Sequence, residues 1–121
     1  MGFFPDSDKI IEEEGIVYIM SMTLDNNDRL YKIGITTRTI NQRFSENIMS
    51  FFNCFRYIPR TDLRRFRKHL EYKSIEKQLH CFLEAKKHDF DGKSFTGCTE
   101  YFKLDPEEFS ELIIKYDELM K

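Results

Sequence analysis

The chain has 121 residues, of which 40% are hydrophobic and 33% are charged, as expected for a single folded domain with one core. Twelve Phe and six Tyr residues exclude a solvated coil, which lacks such aromatic material. The sequence has neither an apolar run long enough to cross a membrane nor an N-terminal signal peptide. We therefore expect an intracellular protein with no membrane partner.

The formal net charge of −2 is unevenly distributed along the chain. Residues 1–14 and residues 105–121 each carry a net charge of −4, whereas residues 15–104 carry +6. A basic central body can attract a polyanion such as DNA. A solvated helix face is the alternative explanation for such a run of charges.

The three cysteines, Cys54, Cys81 and Cys98, are widely spaced and form no C-x-x-C motif. This pattern disfavours a disulfide framework and a zinc ribbon. A zinc site built from His80, Cys81, His88 and Cys98 is a weak alternative, because their spacing matches no standard finger. Reduced thiols are the simpler interpretation.

The N-terminal half predicts an antiparallel hairpin. Residues 15–21 and 30–36 are rich in β-branched and aromatic side chains, and a polar turn cluster at residues 23–29 separates them. Gly34 lies inside the second strand, where it indicates a bulge or a close approach of another group.

The rest of the chain predicts mainly helices. Thr39 and Gln42 form a capping-box pattern at the start of a helix. Residues 54–58 are a candidate third strand, residues 62–87 are predicted to be helical, and residues 100–104 are a candidate short strand. The expected fold class is therefore α/β (α+β), with a small three-stranded antiparallel sheet flanked by helices.

A last helix is predicted after Asp105, which is followed by Pro106 and Glu108. The predicted organisation is an acidic segment (1–14), one domain (15–104) and a C-terminal helix (105–121) packed on that domain. The helix has an apolar stripe, which either packs on its own sheet or forms a homodimer interface. Its members are Phe109, Leu112, Ile113, Tyr116 and Leu119.

Several short motifs occur in a particular order. They are VYI at 17–19, YKIGIT at 31–36, Arg43, IEKQLH at 75–80 and TEYF at 99–102. Together they resemble the GIY-YIG endonuclease superfamily, in particular its phage-type and fungal branch with a YKIGxT second motif. The chain departs from the superfamily pattern in having IVY in the first motif, Lys32 in the second, and no asparagine after Asn53.

The resemblance implies an endonuclease that hydrolyses DNA with one Mg²⁺ or Mn²⁺ ion. Glu76 would hold the metal, because a carboxylate is the oxygen ligand that Mg²⁺ prefers. Arg43 would bind the scissile phosphate, and Tyr18 would activate or position the attacking water. The implied catalytic residues are Tyr18, Tyr31, Lys32, Arg43, Glu76 and His80, with Glu100 as an accessory.

Lys32 would supply the positive charge that Tyr18 needs in order to act as a base near neutral pH. His80 lies one helical turn after Glu76 and would orient the metal-bound water or relay a proton. A second set of residues is expected to contact DNA: Gly34, Thr36, Arg38, Arg64, Arg65, Arg67 and Lys68.

Structural roles remain open for the same residues. Tyr18 is equally explained as a half-buried strand aromatic, Arg43 as a surface residue and Glu76 as a structural carboxylate. The alternative function is therefore a catalytically inactive module that binds nucleic acid or a protein partner. A nuclease that depends on dimerisation, or on a partner protein for specificity, is a third hypothesis.

Overall fold

The computed structural model describes residues 13–121, so most of the predicted acidic segment at 1–14 lies outside the described residues. The helices and strands are β1 (Gly15–Thr23), β2 (Arg29–Thr36), α1 (Ile40–Phe55), β3 (Arg60–His69), α2 (Tyr72–Phe82), β4 (Tyr101–Phe102) and α3 (Pro106–Leu119). Short 3-10 turns occur at Glu84–Lys86 and Cys98–Glu100. No helix within residues 13–121 is long and apolar enough to cross a membrane.

The sheet is antiparallel, with the strand order β3-β1-β2-β4. The predicted β1–β2 hairpin is confirmed, and Tyr18 of β1 lies opposite Gly34 of β2. A small α+β domain with an antiparallel sheet and helices is also confirmed. The predicted strand count is wrong, because the described sheet has four strands rather than three.

The third strand lies later in the chain than predicted. Residues 54–58 do not form it, because α1 continues to Phe55 and ends where Arg56 adopts a left-handed backbone with φ 66°. The strand is instead β3, inside the stretch that was predicted to be helical, and α2 starts only at Tyr72. As an edge strand, β3 exposes charged side chains on both faces, which hides the alternation expected of a half-buried strand.

Helices α2 and α3 cover one face of the sheet. Val17 and Ile19 of β1 pack there against Leu79 of α2 and Leu112 of α3. Tyr116 is fully buried in the same core, and its hydroxyl donates a hydrogen bond to the Val17 carbonyl at 2.7 Å. The apolar stripe of α3 therefore packs on the sheet of its own chain, as the first of the two alternatives predicts.

Helix α1 and the segment between α2 and β4 cover the opposite face. Tyr18 and Met20 of β1 belong to this second core, with Phe51 of α1 and the loop residues Phe90 and Phe95. The predicted capping box at the start of α1 is confirmed. The predicted start of α3 is confirmed too, since the Asp105 side chain accepts a hydrogen bond from the Glu108 amide.

Candidate functional site

A buried lysine–tyrosine pair lies on the α1 face of the sheet. Successive strand residues point to opposite faces, and the register places Lys32, Gly34 and Tyr18 on the same face. Lys32 is fully buried, and its Nζ donates a hydrogen bond to the Tyr18 hydroxyl oxygen at 2.7 Å. A buried ammonium needs such partners, because leaving water costs several kcal/mol.

The loop before β4 completes the surroundings of Lys32. Glu100 places Oε1 3.4 Å from Lys32 Nζ, an ion-pair distance rather than a close hydrogen bond. Gly97 has a left-handed backbone with φ +80°, and a Cβ there would lie 3.0 Å from Lys32 Cε. The loop can approach the lysine this closely because residue 97 has no side chain.

Asn47 is part of the site, although its sequence position gave no hint of this. It is a buried residue of α1, and its Nδ2 donates to the Tyr18 hydroxyl at 3.4 Å. The Tyr18 oxygen therefore accepts from both Lys32 and Asn47. These two hydrogen bonds hold the oxygen in one place.

Arg43 lies within the same cluster, in the first part of α1. Burial opposes its charge, but the neighbouring Tyr18 oxygen and the Glu100 and Glu46 carboxylates raise its pKa overall. The nearest ion-pair contact, from Nη1 to Glu46 Oε1, is 3.8 Å long. The guanidinium is thus held in place without a tight carboxylate partner, which leaves its donors available to a phosphate.

Glu76 projects from α2 toward this cluster. Burial raises its pKa to about 7, the negative charge of Glu100 adds to the rise, and Lys32 and Arg43 oppose it. A carboxyl group that titrates near neutral pH is a common feature of functional sites. The functional role predicted for Glu76 thus stays a prediction that this raised pKa supports.

His80 follows Glu76 by one helical turn, but its Nε2 already has a partner. Nε2 donates a hydrogen bond to the Ile33 carbonyl of β2 at 2.9 Å, and it lies 3.9 Å from Glu76 Oε2. The ring also packs edge-on against Phe102. These contacts suit a residue that fixes α2 against β2 and thereby positions Glu76.

The cluster combines two carboxylates with a guanidinium and several buried polar atoms that lack partners. Its carboxylates, Glu76 and Glu100, interact unfavourably with each other, and a bound cation relieves such repulsion. The buried atoms Arg43 Nε, Asn47 Oδ1 and Glu100 Oε1 have no hydrogen-bond partner in the described structure. Residues 13–121 contain no group of three or more His, Cys, Asp or Glu suited to a metal, so a cation here would take water and substrate oxygens as further ligands, as Mg²⁺ does.

Tyr31 lies apart from the other predicted catalytic residues. Its neighbour Lys32 faces α1, so Tyr31 faces α2 and α3. Its ring stacks on Phe109 at a centroid distance of 4.5 Å, and only 6% of the residue is exposed. The structure therefore gives Tyr31 a core position, outside the Tyr18–Lys32 cluster.

The residues predicted to contact DNA divide into two groups. Thr36 and Arg38 line a cleft of about 300 Å³ that also includes Arg43, although Arg38 forms a two-point ion pair with Glu46. The remaining residues, Arg64, Arg65, Arg67 and Lys68, lie on β3. Arg64 donates to the Ser21 hydroxyl at 3.0 Å, and Arg65 lies 3.7 Å from Asp117.

Gly34 shows the predicted close approach of another group and not the alternative bulge, because the β1–β2 register is regular there. The group is the Tyr18 hydroxyl oxygen, which would lie 2.5 Å from a Cβ at this position. We therefore predict that Gly34→Ala displaces Tyr18 and lowers the rate of the reaction proposed below by about 100-fold, as expected for misplacement of a reacting group. Turnover rates and melting temperatures would be measured together.

Gly92→Ala is the matched control for Gly34→Ala. Gly92, unlike Gly34, has a left-handed backbone with φ +79°, but a Cβ there meets nothing within 4 Å. The control variant should lose some stability through backbone strain and keep full activity. A Gly34→Ala protein with the wild-type rate would contradict the importance of the Tyr18 position.

The fold and the cluster together define a small α+β domain with a buried lysine–tyrosine pair and a neighbouring carboxyl–guanidinium surface. The model of the T5orf172 domain family matches residues 15–117, and the chain therefore belongs to that family. No significant match was found among curated proteins or solved structures.

This family match corrects the assignment drawn from the sequence motifs. The motifs resembled the GIY-YIG superfamily, but the family model that matches is that of the T5orf172 domain, and no GIY-YIG model matches. The motifs were short, and the IVY and KIG sequences already departed from the superfamily pattern. Conclusions about chemistry must therefore come from the site itself.

Proposed function

We propose that this protein is an endonuclease that hydrolyses phosphodiester bonds in DNA, with Mg²⁺ or Mn²⁺ as its cofactor. The observation that carries the proposal is the convergence of complementary groups around Tyr18. Arg43 offers a guanidinium, Glu76 offers a carboxyl group with a pKa near 7, and buried Lys32 holds the Tyr18 oxygen. Catalysed hydrolysis of a phosphodiester uses a group that binds the phosphate, a ligand for the cation and a group that acts on the attacking water.

Arg43 supports the proposal as a phosphate-binding group. Its planar fork matches two phosphate oxygens, and its charge persists at every physiological pH. It lies where the cleft of about 300 Å³ meets the Tyr18 cluster. A phosphate bound by Arg43 would therefore lie near the Tyr18 oxygen.

Tyr18 is the proposed base. Acting as a base, the Tyr18 oxygen, which Lys32 and Asn47 hold in place, would take a proton from a water molecule as the water oxygen bonds to phosphorus. The phosphorus–oxygen bond to the leaving sugar breaks, and the sugar oxygen takes a proton from solvent. Tyr18 then returns its proton to solvent, which restores the site.

Glu76, with Glu100 beside it, would hold the divalent cation. The bound cation would supply positive charge that stabilises the phosphate oxygens during the reaction. Ionised Glu76 provides the oxygen ligand, and His80 fixes the helix that carries it.

A non-catalytic module that binds nucleic acid is the second candidate. It is favoured by the finding that residues 13–121 hold no three-residue metal cluster. The two candidates differ in whether a covalent bond is broken, so a cleavage assay separates them.

The test is a cleavage assay on supercoiled plasmid with Mg²⁺, with Mn²⁺ and with EDTA. The proposal predicts nicked or linear products with either metal and none with EDTA. Arg43→Ala should lose the activity, whereas Arg29→Ala, which changes an exposed arginine of β2, should keep it. Plasmid binding without cleavage in either metal would favour the second candidate.

The raised pKa of Glu76 also predicts how stability depends on pH without metal. Its pKa is about 7 in the folded state against a model value of 4.5. Below pH 4.5 the carboxyl group is protonated in both folded and unfolded chains. Between pH 4.5 and 7 it ionises in the unfolded chain but stays protonated in the folded protein, so stability falls over this range and levels off above pH 7.

Glu76→Gln removes this ionisation. In EDTA, the wild-type free energy of unfolding should fall relative to that of Glu76→Gln by about 2–3 kcal/mol between pH 4.5 and 8. Urea denaturation at several pH values measures this difference. Glu84→Gln, at an exposed position, is the control. If the difference in unfolding free energy between wild type and Glu76→Gln does not change with pH, the raised pKa of Glu76 is contradicted.

A further inference from the structure

Strand β3 carries an exposed aromatic residue among positive charges. Phe66 is 54% exposed although it lies in the middle of a strand. Four basic residues adjoin it: Arg64, Arg65, Arg67 and Lys68. Among the described strands β3 is at the edge of the sheet, so this side is open to a ligand.

The sheet register places Phe66 on the same face as the candidate site. Phe66 lies directly opposite Tyr18 of β1, and Tyr18 lies directly opposite Gly34 of β2. Neighbouring strands are about 4.8 Å apart, so Phe66 lies roughly 10 Å across the sheet from Gly34. That distance corresponds to one or two nucleotides of an extended strand.

Two adjoining clefts run from Arg43 to Lys68, and Glu14 also lines the second of them. The cleft at Arg43 shares the Thr36–Arg38 segment with a second cleft of about 310 Å³. Lys68 lines the second cleft, and it lies two residues from Phe66 on the same face of β3. A nucleic-acid backbone bound at Arg43 can therefore follow the clefts to Lys68 and bring a base to Phe66.

We propose that Phe66 is a stacking platform for an unpaired base, and that the preferred substrate has a single-stranded segment beside the cleaved bond. The inference rests on the proposed function for the location of the cleaved bond. Base–aromatic stacking next to a positively charged groove is typical of proteins that bind single strands. A base inside an intact duplex offers no free face to Phe66.

The charge around Phe66 favours nucleic acid as the occupant. Arg67 and Lys68 form no ion pair within the described part of the chain, and Phe66 has a basic residue on each side. A second copy of this strand would bring its own basic residues against these, which costs energy. A polyanion instead gains from Lys68, which shares the face of Phe66, whereas Arg65 and Arg67 point to the opposite face.

The test measures binding by fluorescence anisotropy in Ca²⁺ and EDTA, using labelled oligonucleotides. The probes are a 20-nucleotide single strand, the matching duplex, and a duplex with a single-stranded flap. Phe66→Ala should weaken binding of the single strand and the flap about 5- to 100-fold, with little effect on the duplex. Phe66→Trp should restore the affinity.

Ile114→Ala is the control, because Ile114 is a 61% exposed apolar residue on α3, away from this face. Equal affinity of wild type and Phe66→Ala for the single strand would overturn the inference, as would an equal loss on all three probes. The inference would also be overturned if the wild type self-associates and Phe66→Ala abolishes this self-association. That result would assign the β3 edge to a second copy of the chain.

The same proteins separate the two proposals. A Phe66 effect on single-strand binding, in a protein that cleaves no plasmid, would retain the binding surface and reject the nuclease. Metal-dependent cleavage combined with unchanged binding by Phe66→Ala would retain the nuclease and reject the stacking platform.

Discussion

Replacing Glu76 by Gln should lower the rate of DNA cleavage by at least about 1,000-fold, because the change removes the proposed metal ligand. Gln keeps the size of the side chain and removes its negative charge. DNA affinity, measured in EDTA, should remain within a few-fold of the wild type. A negatively charged Glu76 does not attract the phosphates of DNA, so its loss removes no favourable contact. The measurement is a single-turnover time course on a labelled oligonucleotide with Mg²⁺.

Glu84→Gln removes the same charge from an exposed position shortly after α2, and it should cleave at the wild-type rate. Mn²⁺ binding, followed by electron paramagnetic resonance, adds a readout that does not depend on catalysis. A Glu76→Gln protein with full cleavage and unchanged Mn²⁺ binding would show that the metal, if used, binds elsewhere.

Lys32→Met is expected to have the second-largest effect. Met has a similar length and fits a buried apolar position, but it cannot donate to Tyr18 or offset a negative charge on its oxygen. We expect the cleavage rate to fall about 100- to 10,000-fold, the range typical of lost proton transfer and electrostatic stabilisation.

Lys103→Met is the matched control. Lys103 is an exposed lysine just after β4 that pairs with Asp28 at 3.4 Å, and its loss should not change the cleavage rate. Circular dichroism and thermal melting would establish that Lys32→Met is folded. A folded Lys32→Met protein with the wild-type cleavage rate would contradict the role assigned to the lysine–tyrosine pair.

Local sequence signals explain which elements could be predicted. The caps at Thr39 and Asp105 involve residues three positions apart, so the sequence contains the whole interaction. The β1–β2 hairpin is likewise local, since a short turn joins its strands. Strand β3 was missed because its partner β1 is distant in sequence and because its charged residues conceal a period of two.

Part of the candidate site could be predicted because some of its residues are brought together by local structure. Tyr18 and Lys32 are close through the hairpin, and strand alternation would already have separated Tyr31 from Lys32. Asn47 carries no local signal, because only the packing of α1 on the sheet brings it to Tyr18. The raised pKa of Glu76 likewise arises from burial and from Glu100, which belongs to a different part of the chain.

The most direct measurement compares wild type and Glu76→Gln, purified in parallel, on supercoiled plasmid with Mg²⁺. We predict that the wild type converts the plasmid to nicked and linear forms, that EDTA stops this conversion, and that the variant produces neither form. Equal cleavage by both proteins would contradict the role of the Glu76 site and point to a contaminating nuclease or to a different active site. An intact plasmid with both proteins, in Mg²⁺ and in Mn²⁺, would contradict the nuclease itself.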